Sequence, residues 1–406
     1  MDSLINAAAR ALATGDPLGA LKRVALREDA PALALRGIAM AQLGDFDRAK
    51  TLLKSAARAF SRREAVARAR CIVAEAEIAL VSRDLTWPVK ALDGARKALE
   101  AHGDHFNAAH ARNLEARRLL LIGELDEAEQ KLAGVDPALL PPPARAAHEL
   151  VVAGIAIRRL QTKPARSALG RAGEAALHAR IPALMAEVKS AALVMDAPAA
   201  RLIAKDGQRL LLLDQVAALF ASGALVVDAC RNVVRSNGAI IALGSRPVLF
   251  ALARVLAEVW PGDVSREVLI ARAFRGKEAD ESHRARLRVE MGRLRAELKD
   301  IAEINATKDG FLLEPHDARD VAVITPPTEE VHADVLALLA DGESWSSSAL
   351  AIALGTSART VQRALEELSG RSKVQSYGRG RALRWVTPSV PGFPTSLLLP
   401  GPLPGD

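Results

Sequence analysis

The segment LRGIAMAQLGDFDRAKTLLKSAARAF, residues 35–60, constrains the fold more than any other stretch of the chain. Apolar and small residues recur at helical spacing on both sides of LGDF, so it reads as two helices joined by a short turn. Gly37, Ala49 and Ala56 are small enough to let those helices approach closely. IGELDEAEQKL (122–132) repeats the turn and the start of the second helix. Comparable small positions fall at Ala49, Ala91, Ala128 and Ala165, spaced 42, 37 and 37 residues apart. Residues 1–195 therefore read as consecutive helices broken by Gly, Pro or Asp, with the PPP at 141–143 in a loop.

This pattern resembles a tetratricopeptide repeat, in a loose form that reads as a degenerate helical solenoid. The resemblance implies a continuous core built by stacking neighbours and an exposed concave surface. An ordinary all-helical packing domain is the alternative. Composition agrees with a helical chain: half the residues are apolar and only 3% aromatic. A length of 406 residues implies roughly two to four domains.

Beyond residue 195 the pattern changes. Residues 196–222 read as a connector with a short helix. LVVDACRNVVRSNGAIIAL (225–243) is β-rich around the turn signal SNG. A helix is predicted from Pro247 to Trp260, and a second follows PGD and Ser265. ESHRARLRVEMGRLRAEL (281–298) is the third, and INATKDGFLLEP (304–315) closes as a strand pair around Asp309-Gly310. On LVVDA, VSREVLI, RVEMGRLRAEL and GFLL, residues 223–316 resemble the OmpR/PhoB-type winged-helix DNA-binding domain. Residues 317–328 read as a linker containing TPP. The helices and hairpin of EEVHADVLALLADG, SSSALAIALG, TSARTVQRALEELSG and KVQSYGRGRALRWV (329–387) resemble a second, generic winged helix-turn-helix. The tail 388–406 is Pro-rich and reads as flexible or draped on the surface. The expected fold class is mainly α: a helical repeat-like domain followed by two winged-helix (α+β) domains.

Charge locates the expected function. The net charge is +7, yet residues 284–299 hold six basic and two acidic groups and residues 356–386 hold seven and two. These two stretches sum to +9, leaving −2 for everything else. At 100° per residue Leu287, Met291, Leu294 and Leu298 share one face, which must be the buried one. The opposite face offers Val289 and Arg293 flanked by Arg286, an arrangement able to read base edges in a major groove. In the family it resembles, an apolar residue and an arginine stand at the positions of Val289 and Arg293. Glu290, Gly292 and the short TKDGF wing depart from the family pattern, with Lys308 partly replacing the usual wing arginine. For Arg284, Arg288 and Arg295, salt bridges and phosphate contacts stand as equal alternatives. In the second unit Val361, Ala364, Leu365 and Leu368 form the core stripe, leaving Arg359, Gln362 and Arg363 outward. Ser357 or Thr356 can cap that helix, and the hairpin tip carries Arg379 and Arg381. Tyr377 and Trp385 read as packing the hairpin.

Enzymatic chemistry is not indicated, since no Walker loop, GxGxxG, HExxH or GxSxG occurs. His102, His105 and His110 lack ligand spacing and read as solvated loop and helix-start residues; His148 stands alone. Phosphoacceptance by Asp228 is not expected, because no alternation of strands and helices surrounds it as a receiver requires. Cys71 and Cys230 read as buried small residues in a reducing compartment. No metal or other cofactor is expected, and no membrane-spanning segment is found, which suggests a cytoplasmic protein. The expectation is a transcriptional regulator that binds double-stranded DNA, with a helical region for signal, protein partner or self-association. The rival is a protein-interaction adaptor, favoured by Glu290, Gly292 and the short first wing.

Overall fold

The computed structural model describes residues 2–204, 207–274, 281–318, 320–327, 332–339, 344–371, 373–380 and 383–387. These are mainly helical, with β-structure confined to the C-terminal half. They form two compact units, one of residues 1–193 with 334–406 and one of residues 194–333.

The first unit opens with eleven α-helices: α1 (Ser3–Ala13), α2 (Pro17–Val24), α3 (Ala30–Gln42), α4 (Phe46–Ala59), α5 (Ala65–Val81), α6 (Val89–Ala101), α7 (His105–Ile122), α8 (Leu125–Ala133), α9 (Pro142–Arg158), α10 (Thr162–Ala179) and α11 (Pro182–Leu193). Aspartates start many of them: the carboxylates of Asp2, Asp16, Asp29, Asp45 and Asp104 each accept a backbone N–H of the first turn. Gly-Asp recurs at 15–16, 44–45 and 103–104, where it ends one helix and caps the next. The expected loop at PPP is corrected in part: Pro142 and Pro143 open α9, where a missing N–H costs nothing. Helices α3, α5, α7 and α9 are buried on most faces, whereas α4, α6, α8 and α10 bury a single stripe. Close approach of α3 and α4 rests on Gly37. A Cβ there would stand 2.8 Å from Leu53 Cγ and 3.2 Å from the Ala49 carbonyl oxygen. Ala49, Ala128 and Ala165 are fully buried, while Ala91 is only half-buried and Ala95 fills the equivalent place in α6.

The 194–333 unit contains β1 (Pro198–Ala204), β2 (Gly207–Leu212), α12 (Leu213–Ala221), β3 (Leu225–Asp228), β4 (Val233–Ser236), β5 (Ala239–Ala242), α13 (Pro247–Val259), β6 (Val264–Ser265), α14 (Arg266–Phe274), α15 (Glu281–Leu298), β7 (Ala302–Ala306), β8 (Gly310–Pro315) and β9 (Val321–Thr325). Six strands form one sheet in the order β2-β1-β9-β3-β4-β5, antiparallel except between β3 and β9. The segment read as a connector thus supplies two strands as well as its helix. The segment read as a linker supplies β9, whose five residues are all buried at the sheet centre. Asn237 and Gly238, both at positive φ, turn β4 into β5 as SNG implied.

The core of this unit joins Leu225, Val227 and Val323 of the sheet to Leu252 and Leu256 of α13. Leu287, Met291, Leu294 and Leu298 of α15 complete it. Strands β6, β8 and β7 form a second small sheet. Gly310 is required where β8 meets β6, because a Cβ there would fall 1.7 Å from the Val264 carbonyl oxygen.

The remainder of the first unit holds α16 (Ala333–Leu339, beginning at the boundary), α17 (Ser347–Ala353), α18 (Ala358–Gly370) and the hairpin β10 (Gln375–Tyr377) and β11 (Arg384–Val386). Its core centres on Trp345, Leu350, Leu365 and Trp385, joined by Leu85, Leu121 and Ile122 of the helical array. The Arg83 guanidinium lies 5.5 Å from the Trp345 ring centroid. The Pro-rich tail and Arg381 lie outside the described residues.

Candidate nucleic-acid interface

Helix α15 buries the face its periodicity assigned: Leu287, Met291, Leu294 and Leu298 are each at most 1% exposed. The opposite face carries Val289, 54% exposed. Its arginines are drawn into the fold to different degrees. Arg293 donates to Glu290 Oε1 at 3.0 Å, so this cation is shared with an acid one turn away. The Arg286 guanidinium sits 4.6 Å from the Phe274 ring centroid. Arg284 lies 3.9 Å from Glu267 and 4.0 Å from Glu281, at the limit of an ion pair. Arg295 is structural: its Nε donates to the Ile304 carbonyl at 2.7 Å while its guanidinium lies over Phe311. Arg266 reaches Phe311 as well and donates to the carbonyls of Thr307 and Lys308. It thereby holds the β7–β8 turn. The Lys308 and Arg288 side chains are exposed and make no ion pair among the described residues.

Helix α18 differs. Ser357 caps it, its hydroxyl accepting the Thr360 N–H at 3.1 Å, which settles the choice between Ser357 and Thr356. Val361, Ala364, Leu365 and Leu368 are buried, and this spacing turns Arg359 and Arg363 outward. Both arginines are exposed and make no hydrogen bond or ion pair among the described residues. Gln362 lies beside them, half-buried, and donates to Glu366 Oε1 at 3.1 Å. Farther down the helix Arg371 is committed to Glu367 at 2.8 Å.

On the hairpin, Arg379 is exposed and also unpaired among the described residues. The hairpin is anchored by Trp385, 5% exposed, whose backbone exchanges hydrogen bonds of 2.8 and 2.9 Å with fully buried Trp345. Tyr377 corrects the expectation of a packed ring, being 52% exposed on short β10. Arg359, Arg363 and Arg379 are thus cations of α18 and its hairpin that have no compensating partner among the described residues.

The residues set aside in the sequence also find places. His110 is buried and bonded to Glu77 Oε2 at 2.9 Å, not solvated. His102 and His105 are exposed, as their position around Gly103 implied. His148 is buried, and burial holds its imidazole below the ordinary value, with Glu149 pulling in the opposite direction. Fully buried Asp228 accepts the backbone N–H groups of Cys230 and Arg231 at 2.9 and 3.2 Å, tying the β3–β4 turn. Cys71 is buried, its thiol pushed up to about 12 by burial and then by Glu75. Cys230, in contrast to the expectation, is exposed. No helix among the described residues is long and apolar enough to cross a membrane. No family model, curated protein or solved structure matches the chain.

Proposed function

We propose that the protein is a transcriptional regulator that binds duplex DNA, with α16–α18 and β10–β11 acting as a winged helix. The observation that carries this reading is the set of unpaired, exposed cations Arg359, Arg363 and Arg379 on α18 and its hairpin. Arginines on protein surfaces commonly satisfy themselves with neighbouring carboxylates, as Arg293 and Arg371 do here. Cations left open on one helix and the adjoining hairpin suit a polyanion, whose counterions they displace. The Ser357-capped start of α18 adds N–H groups directed toward the same side. Phosphate contacts by Arg379 would set the register, while Arg359, Gln362 and Arg363 probe base edges. Contacts with the helical array come through α17, Trp345 and the region of Leu85 and Leu121, so the outer face of α18 stays open. The helical array fits a degenerate solenoid that takes a protein or small-molecule signal, or mediates self-association.

Selection of bound sites from random duplexes by the full chain tests this reading. The Arg359→Ala, Arg363→Ala double variant is expected to fold normally and to lose sequence preference, since neither side chain supports the core. Retention of the same preferred sequence would show that α18 is not the reader.

A second reading applies to the 194–333 unit, where α15 resembles the recognition helix of an OmpR/PhoB-type domain. Exposed Val289 beside the Arg293–Glu290 pair favours a protein-contact surface there, because that pair is itself neutral and leaves Arg288 and Lys308 as the open cations nearby in sequence. That assigns adaptor behaviour to this unit and DNA binding to the 334–387 module.

A further inference from the structure

An open cleft of about 500 Å³ lies on the groove between α4 and α5, remote in sequence from α18. Its rim is formed by Lys54 and Arg58 of α4, Arg62 of the connecting loop and Arg68 of α5. All four are exposed, and none makes an ion pair or side-chain hydrogen bond among the described residues. Many arginines of the array, among them Arg36, Arg70, Arg96, Arg112, Arg117 and Arg159, are paired with acids; these four are left open and line one cleft together. The apolar lining comes from Phe60 and Ile72.

Glu75 stands in the same lining, 8% exposed and without a hydrogen-bond or ion-pair partner among the described residues. Its oxygens are not among the fully buried unpartnered atoms, so they meet the solvent of the cleft and are open to donors from a ligand. Burial pushes its carboxyl up, and Lys54, Lys50 and Arg58 pull it down. Four cations and one carboxylate leave the lining with a net charge of +3.

We propose that this cleft binds a nucleoside phosphate, its phosphates among Lys54, Arg58, Arg62 and Arg68 and its base against Ile72 and Phe60 with an N–H edge on Glu75. The volume falls in the range of small-molecule sites, which combine an apolar lining with a few converging polar groups. A simple anion such as phosphate would meet the cations and also face the like charge of Glu75, making no use of that acceptor. A ligand that is anionic at one end and a donor at the other satisfies both. A carboxylate accepts best from two parallel N–H groups, which guanine presents and adenine does not. The site therefore prefers guanine.

The experiment is calorimetric titration of the full chain with GTP, ATP and inorganic phosphate, without divalent metal. GTP is expected to saturate one site per chain and to bind about tenfold tighter than ATP, with phosphate weaker than either. In Arg58→Ala, Arg68→Ala the GTP affinity should fall at least about tenfold, and in Glu75→Gln the preference over ATP should shrink. Thermal melting checks the fold of each variant, and Lys54→Ala provides a second, milder loss of charge. Failure of GTP to saturate the wild-type chain would overturn the proposal. So would GTP affinity unchanged in the folded double variant, or a double variant that loses only duplex-DNA affinity. The first two outcomes are read on GTP alone and do not depend on whether α18 reads DNA.

Discussion

At the scale of single residues, the distinction that matters is between arginines the fold uses and arginines it leaves over. Arg295 and Arg266 flank Phe311 and tie carbonyls of β7 and the β7–β8 turn, so their charge is already spent on structure. Arg293 is an intermediate case, held by Glu290. Glu290→Gln removes the acid without changing the shape. If the 194–333 unit is an adaptor, as inferred, DNA affinity measured by fluorescence anisotropy should change less than about threefold. A rise of about tenfold or more would mean that Arg293 was a masked DNA contact. His148 gives a prediction in pH. Its folded value lies below its ordinary 6.5, so the unfolded chain binds more protons, and stability rises with pH across that range. Melting temperatures should therefore fall as pH drops below about 6.5, and His148→Gln should flatten that fall. Parallel curves for the two proteins would contradict it. The buried stripe of α15 was legible in the sequence because a 3.6-residue period fixes faces from within one helix. The fate of its arginines was not, because Phe274, Phe311 and Glu267 reach them from other elements. His110 was misread for the same reason: its partner Glu77 lies on α5.

At the scale of elements, α18 is held by an apolar stripe while its charged face makes few contacts. Leu365 is fully buried between α17, Trp345 and the hairpin core. Leu365→Ala should cost about 2–5 kcal/mol by transfer loss and cavity formation, read by denaturant unfolding followed at the tryptophans. DNA affinity at low denaturant should change little, since the outer face is untouched; a large affinity loss with little destabilisation would reverse the assignment of faces. Long helices were legible because periodicity accumulates over many turns. Short strands were not. RLIA and QRLLL on either side of Asp206-Gly207 form a hairpin-like pattern of apolar runs about a turn signal, yet also suit a connector with a helix. VAVIT at 321–325 is a short apolar run beside TPP, and its burial is decided by β1 and β3, which pair with it from more than ninety residues upstream.

At the scale of the whole molecule, the localisation of charge in sequence is the lasting clue and the structure sorts it. The +4 of residues 284–299 is partly consumed by ion pairs, ring contacts and a carbonyl, whereas Arg359, Arg363 and Arg379 within the +5 stretch remain open. The cluster of four cations on α4, the following loop and α5 was missed because the rest of the chain was summed as one quantity, −2, although residues 54–70 alone hold six basic groups and one acidic group. The most direct test of the central claim is the salt dependence of full-length chain binding to a duplex, compared with the Arg359→Ala, Arg363→Ala, Arg379→Ala variant. Affinity should fall steeply between about 50 and 200 mM salt, and the variant's log–log slope should be shallower by about two to three units. Identical slopes for the two proteins, or no salt-sensitive binding at all, would contradict the account.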